Sequence, residues 1–302
     1  MFAAYFGLIF SVFIWGSNFI AGDWLVMNLN SVLLAMTRLI FSSLFLLTFG
    51  LIARKFTRIN KKQFGFLIMS AIIGTLINQA CFFTAMRYIP PTESALIMSL
   101  CPVATAALAF LFLRERITWL NGIGSFVAIF GVFLLVVHGS HLRLNIGDAF
   151  SFTAMFSLST NMILVRKLSK DMDVLTITLY GTVLGTCLFI PTSIGVEGVP
   201  HYPHSFIFWI VCILSATLSQ GFCSVLMNNA VSKIGATQVA VVANLQPFIS
   251  MVVGFLALGI PVTSIQIIGG IVIIIGVLIA TVKIKQKSMF LQHIRKSTFF
   301  RS

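Results

Sequence analysis

The sequence predicts an all-α integral membrane protein: ten transmembrane helices arranged as two inverted five-helix repeats. Three observations carry that expectation. The 302 residues are 58% hydrophobic and only 9% charged, with mean hydropathy +1.04, whereas a water-soluble domain carries about 25% charge. Ten apolar stretches of spanning length follow one another with short separators. One segment of the chain also repeats another without a gap. A chain this apolar cannot cover its own surface with polar groups, so its solvent is lipid. That excludes a soluble enzyme, a disordered chain and a nucleic-acid binder, despite a net charge of +13.

A hydrocarbon core of about 30 Å takes about 20 residues per helix. The stretches that meet this length are 3–22, 31–52, 64–86, 92–113, 119–139, 147–166, 174–195, 205–230, 236–258 and 262–282. Breakers separate them: Asp23, Pro90-Pro91, Gly147-Asp148, Pro200 to Pro203, and Pro261. The runs are continuous, whereas a β-barrel shows alternating segments of about ten residues. The first stretch has no basic leader and no small-residue cleavage site, so a retained helix is expected, not a cleaved signal peptide. Cys81, Cys101, Cys187, Cys212 and Cys223 all fall inside apolar stretches and form no CxxC. They read as packing residues, with neither a disulfide framework nor a thiolate metal site.

Loop charge sets the orientation. With the N-terminus in the cytoplasm, 17 Lys and Arg fall on the inner side, in 54–62, 114–116, 166–170, Lys233 and the tail. Only 2, Arg87 and Arg143, fall outside. Basic residues accumulate on the cytoplasmic side, so both termini are expected inside, in a plasma membrane of bacterial inner-membrane type. The same clustering makes the basic tail a partner for lipid headgroups and removes the need for nucleic acid.

Residues 91–137, moved by 145 positions, align with 236–282 without a gap and with 15 identities. Pro102/Pro247, Phe110/Phe255, Thr118/Thr263, Gly124/Gly269, Gly131/Gly276 and Val132/Val277 all match. Asn18 and Asn161 correspond at a slightly different offset. The expected division is therefore 1–145, 146–282 and a basic cytoplasmic tail, 283–302. Five helices is an odd number, so the second half enters from the opposite side. Inverted halves that share a site between them are the architecture of secondary transporters.

Within this frame several residues are candidates for a substrate path. Pro102 and Pro247 break their helices and free the carbonyls of Met98 and Ala243, and matched breaks in two halves point to a transporter site. Asn18, Asn78, Gln79, Asn161, Gln220, Asn228, Asn229, Asn244 and Gln246 lie in apolar segments, where an amide facing lipid would lose its hydrogen bonds. Each either bridges helices or meets substrate; Asn244 and Gln246 flank Pro247. The hydroxyl-rich stretch with Ser151, Thr153, Ser157, Ser159 and Thr160 reads as a face on water or protein. Arg38 is the one charge clearly within a span. It either snorkels to the outer interface or anchors a substrate carboxylate or phosphate. Trp15 and Tyr180 either stack on a substrate or pack in the core. Gly124, Gly131, Gly269 and Gly276 repeat every seven residues within each half, a spacing that allows close helix contact.

No Asp or Glu lies mid-span, so proton coupling lacks a titratable relay. His138/His141 and His201/His204 form two His-x-x-His pairs in outer loops. Such pairs can bind zinc or nickel, but chance spacing in two interfacial loops explains them as well, and no metal site is assigned. No GxSxG, HExxH or Walker sequence occurs, so neither enzyme chemistry nor a self-contained ATP-driven pump is expected, and no cofactor is implied.

The first helix reads Trp15-Gly16-Ser17-Asn18-Phe19, the second carries Met36-Thr37-Arg38-Leu39, and the fourth runs from Leu100-Cys101-Pro102 to Arg114-Glu115-Arg116-Ile117-Thr118. The second half opens on Gly147-Asp148. In order and spacing these motifs resemble the drug/metabolite transporter superfamily, in its EamA-type branch with ten helices. The repeat counterpart of Glu115 is Ile260, a departure from the family's paired glutamates. The resemblance implies a secondary transporter of small organic metabolites, amino-acid-like or otherwise zwitterionic or anionic, with export the expected direction. Efflux of cationic drugs and a non-transporting scaffold are the rival classes, and homo-oligomerisation is left open.

Overall fold

The computed structural model describes residues 2–53, 59–89, 91–114, 118–136, 145–198, 202–259 and 261–281. Among these residues the chain forms ten helical spans and no strand. They are α1 (Phe2–Val26), α2 (Ser31–Ala53), α3 (Lys61–Ala85), α4 (91–113), α5 (Trp119–Val136), α6 (Ile146–Leu168), α7 (Val174–Glu197), α8 (Phe206–Ile234), α9 (Ala236–Leu258) and α10 (Ser264–Thr281). Seven are long and apolar enough to cross a membrane by length and composition, α5 and α10 are shorter apolar helices, and α6, at 23 residues, is long but more polar than the seven. The protein is thus an all-α, multi-pass membrane protein.

Local chemistry sets the helix starts. Asn60 accepts from Gln63 N at 2.8 Å while Gln63 Oε1 accepts from Asn60 N at 3.0 Å, a reciprocal cap that satisfies two of the exposed N–H groups. Asn145 and Asp148 cap α6 in the same way. Asp173 Oδ2 caps α7 and Ser205 Oγ caps α8. Repeat-equivalent residues end α4 and α9: Arg114 at φ 53° and Gly259 at φ 65° both take the left-handed conformation.

The pseudo-twofold relation between the halves is visible at two contacts. At the first, α5 and α10 run antiparallel. A Cβ on Gly124 would lie 2.5 Å from Ala280 N and Gly276 O, and one on Gly131 would lie 2.6 Å from Ile273 N. Gly276 is the repeat counterpart of Gly131, and a Cβ on it would meet Gly124 O at 2.7 Å. Each helix therefore presents one glycine face to its own copy, as a twofold interface requires. At the second, the breaks in α4 and α9 meet. Asn244 Nδ2 donates to Ser99 O at 3.1 Å across 145 residues, so the two repeat-equivalent positions touch each other.

Around this axis α1 packs on α8 and α9, α6 packs on α3 and α4, and α2 packs on α7. Each half thus lends its first helix to the other half. The outer shell is apolar, with Phe126 and Leu256 about three-quarters exposed toward the lipid volume. α6 shows how hydroxyls fit a helix of this kind. Ser151, Ser157 and Ser159 are buried, while Thr153 and Thr160 turn outward and donate to Ala149 O and Phe156 O at 2.8 Å. That i−4 bond leaves the outward hydroxyls without need of water.

Candidate functional site

The cavity between the halves is framed by two irregular stretches. Residues 71–77 of α3 and 216–222 of α8 form wide turns with i→i+5 bonding. They lie 145 positions apart, so the irregularity obeys the repeat. Such turns are rare and gather at functional sites, because the extra residue redirects side chains and leaves carbonyls to be satisfied from outside the helix. Trp15 Nε1 donates to Ser219 O in the α8 turn at 2.7 Å. On α6, Asn161, the counterpart of Asn18, has its Oδ1 accepting from Ser70 Oγ at 2.6 Å. Asn161 also lies against Gly74 in the α3 turn, in space that a Cβ there would occupy. The first helix of each half therefore leans a polar side chain on the wide turn of the other.

These contacts border a cavity of about 340 Å³. Nine of the candidate residues line it: Trp15, Asn18, Arg38, Asn78, Gln79, Asn161, Gln220, Asn228 and Gln246. Pro102, Tyr180, Asn244 and Pro247 do not belong to the lining. Pro102 is buried and Pro247 half-buried, each opening the second segment of its broken helix. There the missing N–H leaves no intrahelical bond unmade. Tyr180 packs between two apolar clusters, the core alternative for that ring. Asn244 bridges the two breaks, as described above.

Arg38 turns inward. It is 6% exposed, and its Nη2 donates to Ser219 Oγ at 3.1 Å, while Nε is buried without a partner. Gln79 Oε1 and Gln220 Oε1 are also buried without a partner. The guanidinium therefore faces the interior and has not snorkelled to the membrane surface. No Asp or Glu is among the lining residues. The segment 246–258 begins at the cavity wall with Gln246, and the start of a helix carries partial positive charge. The fixed charge around the cavity is thus positive, which suits an anionic group.

Several lining residues are absent from the set selected on sequence. Ser219, Gly74 and Thr75 reach the wall because the wide turns rotate them there. Thr178 also lines the cavity without having been selected, and its Oγ1 accepts at 2.9 Å from Nδ2 of Asn228, which was. The one available sequence signal was the 145-residue offset, which carries Gly74 onto Ser219 and Thr75 onto Gln220. Among the described residues no group of three His, Cys, Asp or Glu is placed to hold a metal. His138, His141 and His201 lie outside the described residues, as do Glu115 and Ile260.

Comparison with known proteins follows the same two halves. The model of the EamA-like transporter family matches residues 2–137 and again 145–282. The uncharacterized transporter YyaM of Bacillus subtilis is 29% identical over 238 residues, 75% of this chain and 76% of that one. A probable terminal-alkyne amino-acid exporter of Streptantibioticus cattleyicolor is 25% identical over 197 residues, 64% of each chain. A solved crystal structure superposes with a TM-score of 0.78 over 92% of this chain and 98% of the other, at 15% identity. That likeness is one of fold.

Proposed function

This chain belongs to the EamA-like transporter family, and on that premise we propose that it is a secondary transporter of small organic solutes bearing an anionic group. Amino-acid-like zwitterions and small carboxylates are the solute classes, and export is the direction. The observation that carries the reading is Arg38: a buried guanidinium in the cavity, with Nε unpartnered and no carboxylate in the lining. A buried unpaired charge is costly, and a bound carboxylate would relieve it through paired, charge-assisted hydrogen bonds. The relative named as an amino-acid exporter supports the solute class. The inverted halves support alternating access, in which the shared cavity opens to one face at a time. The proposal includes a bacterial inner membrane, both termini in the cytoplasm, and the division into 1–145, 146–282 and a basic tail.

The test is flux in proteoliposomes loaded with labelled amino acids, small carboxylates or organic cations. Arg38→Lys keeps the charge but loses the planar fork, and should lower transport of the anion-bearing solute in part. Arg38→Gln should lower it by roughly tenfold or more, with the protein still inserted and monodisperse. Unchanged flux in both variants sinks the anchor and returns the choice to cationic or apolar solutes.

A further inference from the structure

We propose that Arg87, Glu197 and Asn30 form the gate latch on the predicted outer face, a role that rests on the alternating-access reading above. Arg87 follows α3 in the first half, and Glu197 is the last residue of α7 in the second. Their side chains form an ion pair that joins the halves, with the carboxylate side chain 9% exposed. Asn30, just before α2, ties the pair to a third connection. Its Nδ2 donates to Glu197 Oε2 at 2.5 Å, and its Oδ1 accepts from Arg87 Nη2 at 3.1 Å and from Val32 N at 3.2 Å. One amide thus caps α2 and spans a charge pair at once.

The cluster sits at one end of the cavity. Met86 lines the wall next to Arg87, Val26 lines it at the end of α1, and Leu34 lines it one helical turn after Asn30. Beneath the latch lies an apolar plug in which Leu25, Leu33, Phe83, Phe189 and Phe208 are no more than 7% exposed. They come from α1, α2, α3, α7 and α8, so the plug is also shared by both halves. Separating the ends of α3 and α7 on this face breaks the ion pair and unpacks the plug together. An open state gives up both terms, and an occupant favours it only by binding better there. Neutralising Arg87 leaves the largely buried Glu197 carboxylate without its counter-charge, and neutralising Glu197 releases the tie on Arg87; each shifts the balance toward the open arrangement.

The experiment uses purified full-length protein with the five native cysteines replaced, and reads the labelling rate of one introduced thiol by a water-soluble maleimide. Leu34→Cys reports on the latched end, where Leu34 is 0% exposed, and Val231→Cys on the other end, where Val231 is 1% exposed. Both positions line the cavity. Arg87→Gln or Glu197→Gln should each speed labelling at Leu34→Cys roughly tenfold and slow it at Val231→Cys. The exchanged pair, Arg87→Glu with Glu197→Arg, should bring both rates back toward the parent's. The proposal is overturned if the single variants leave the Leu34→Cys rate unchanged, or if the exchanged pair labels as fast as they do. Faster labelling at both reporters also overturns it, because that is general loosening and not a gate. The rates are read without substrate. Loss of the Arg38 anchor reading therefore leaves this result standing, and failure of the latch leaves the anchor reading standing.

Discussion

Asn244 is one side chain that serves both halves of the protein. The break in α4 leaves Ser99 O without its regular helical partner, since Val103 N and Ala104 N both turn to Leu100 O. Asn244 Nδ2 fills the vacancy from the other half. Asn244→Leu removes that donor in a region where Asn244 is 5% exposed. It should destabilise the protein by about 1–3 kcal/mol, seen as a lower midpoint of thermal unfolding in detergent with helix content retained. A midpoint unchanged from the parent would mean that the carbonyl finds another donor. At this scale the sequence identified residue types well and their facing less well. The cost of burying an amide in lipid is a property of the side chain alone, so Gln79, Asn161 and Gln220 could be marked as inward-facing, whereas Arg38 is long enough to snorkel and its inward turn was decided by the packing. Tyr180 could not be assigned, because an aromatic ring is equally at home in the core, and there it lies.

At the scale of elements, the prolines define where α4 and α9 restart. Pro102→Ala and Pro247→Ala restore an N–H and remove the clash that keeps each helix in two segments. Each is expected to let its helix run on, misplacing Gln246 or Met98 at the cavity wall. Flux should fall several-fold, on the order of the loss from a small misplacement of a binding group, while the amount of inserted protein stays near the parent's. If both variants transport normally, the breaks are packing kinks and nothing more. Helix existence was legible because hydropathy over about 20 residues is a local sum. The wide turns at 71–77 and 216–222 were not legible. Neither stretch contains proline, and the extra residue in each turn is held by contacts from the other half, such as Trp15 Nε1 on Ser219 O.

For the whole molecule, the loop charges make the sharpest expectation. With the native cysteines replaced, a thiol placed within 53–62 should react with an impermeant reagent only after the membrane is permeabilised. Reaction from outside intact cells would reverse the orientation, and with it the assignment of the Arg87–Glu197 latch to the outer face. The inverted-repeat plan was readable in advance because a 145-residue offset with matched prolines and glycines survives in the sequence. Those glycines sit where α5 and α10 touch, and backbone contact tolerates no side chain there. The sequence by itself determined the membrane class, the ten spans and the existence of two related halves, since each depends on composition or on self-similarity along the chain. Which polar residues share one cavity was decided only by the tertiary structure. In a helix each residue turns the following face by about 100°, so one extra residue in α3 and one in α8 select a different set of side chains for the wall. The pairing of Arg87 with Glu197 and of Asn244 with Ser99 O joins positions 110 and 145 residues apart, and only the packing of one half on the other brings them together.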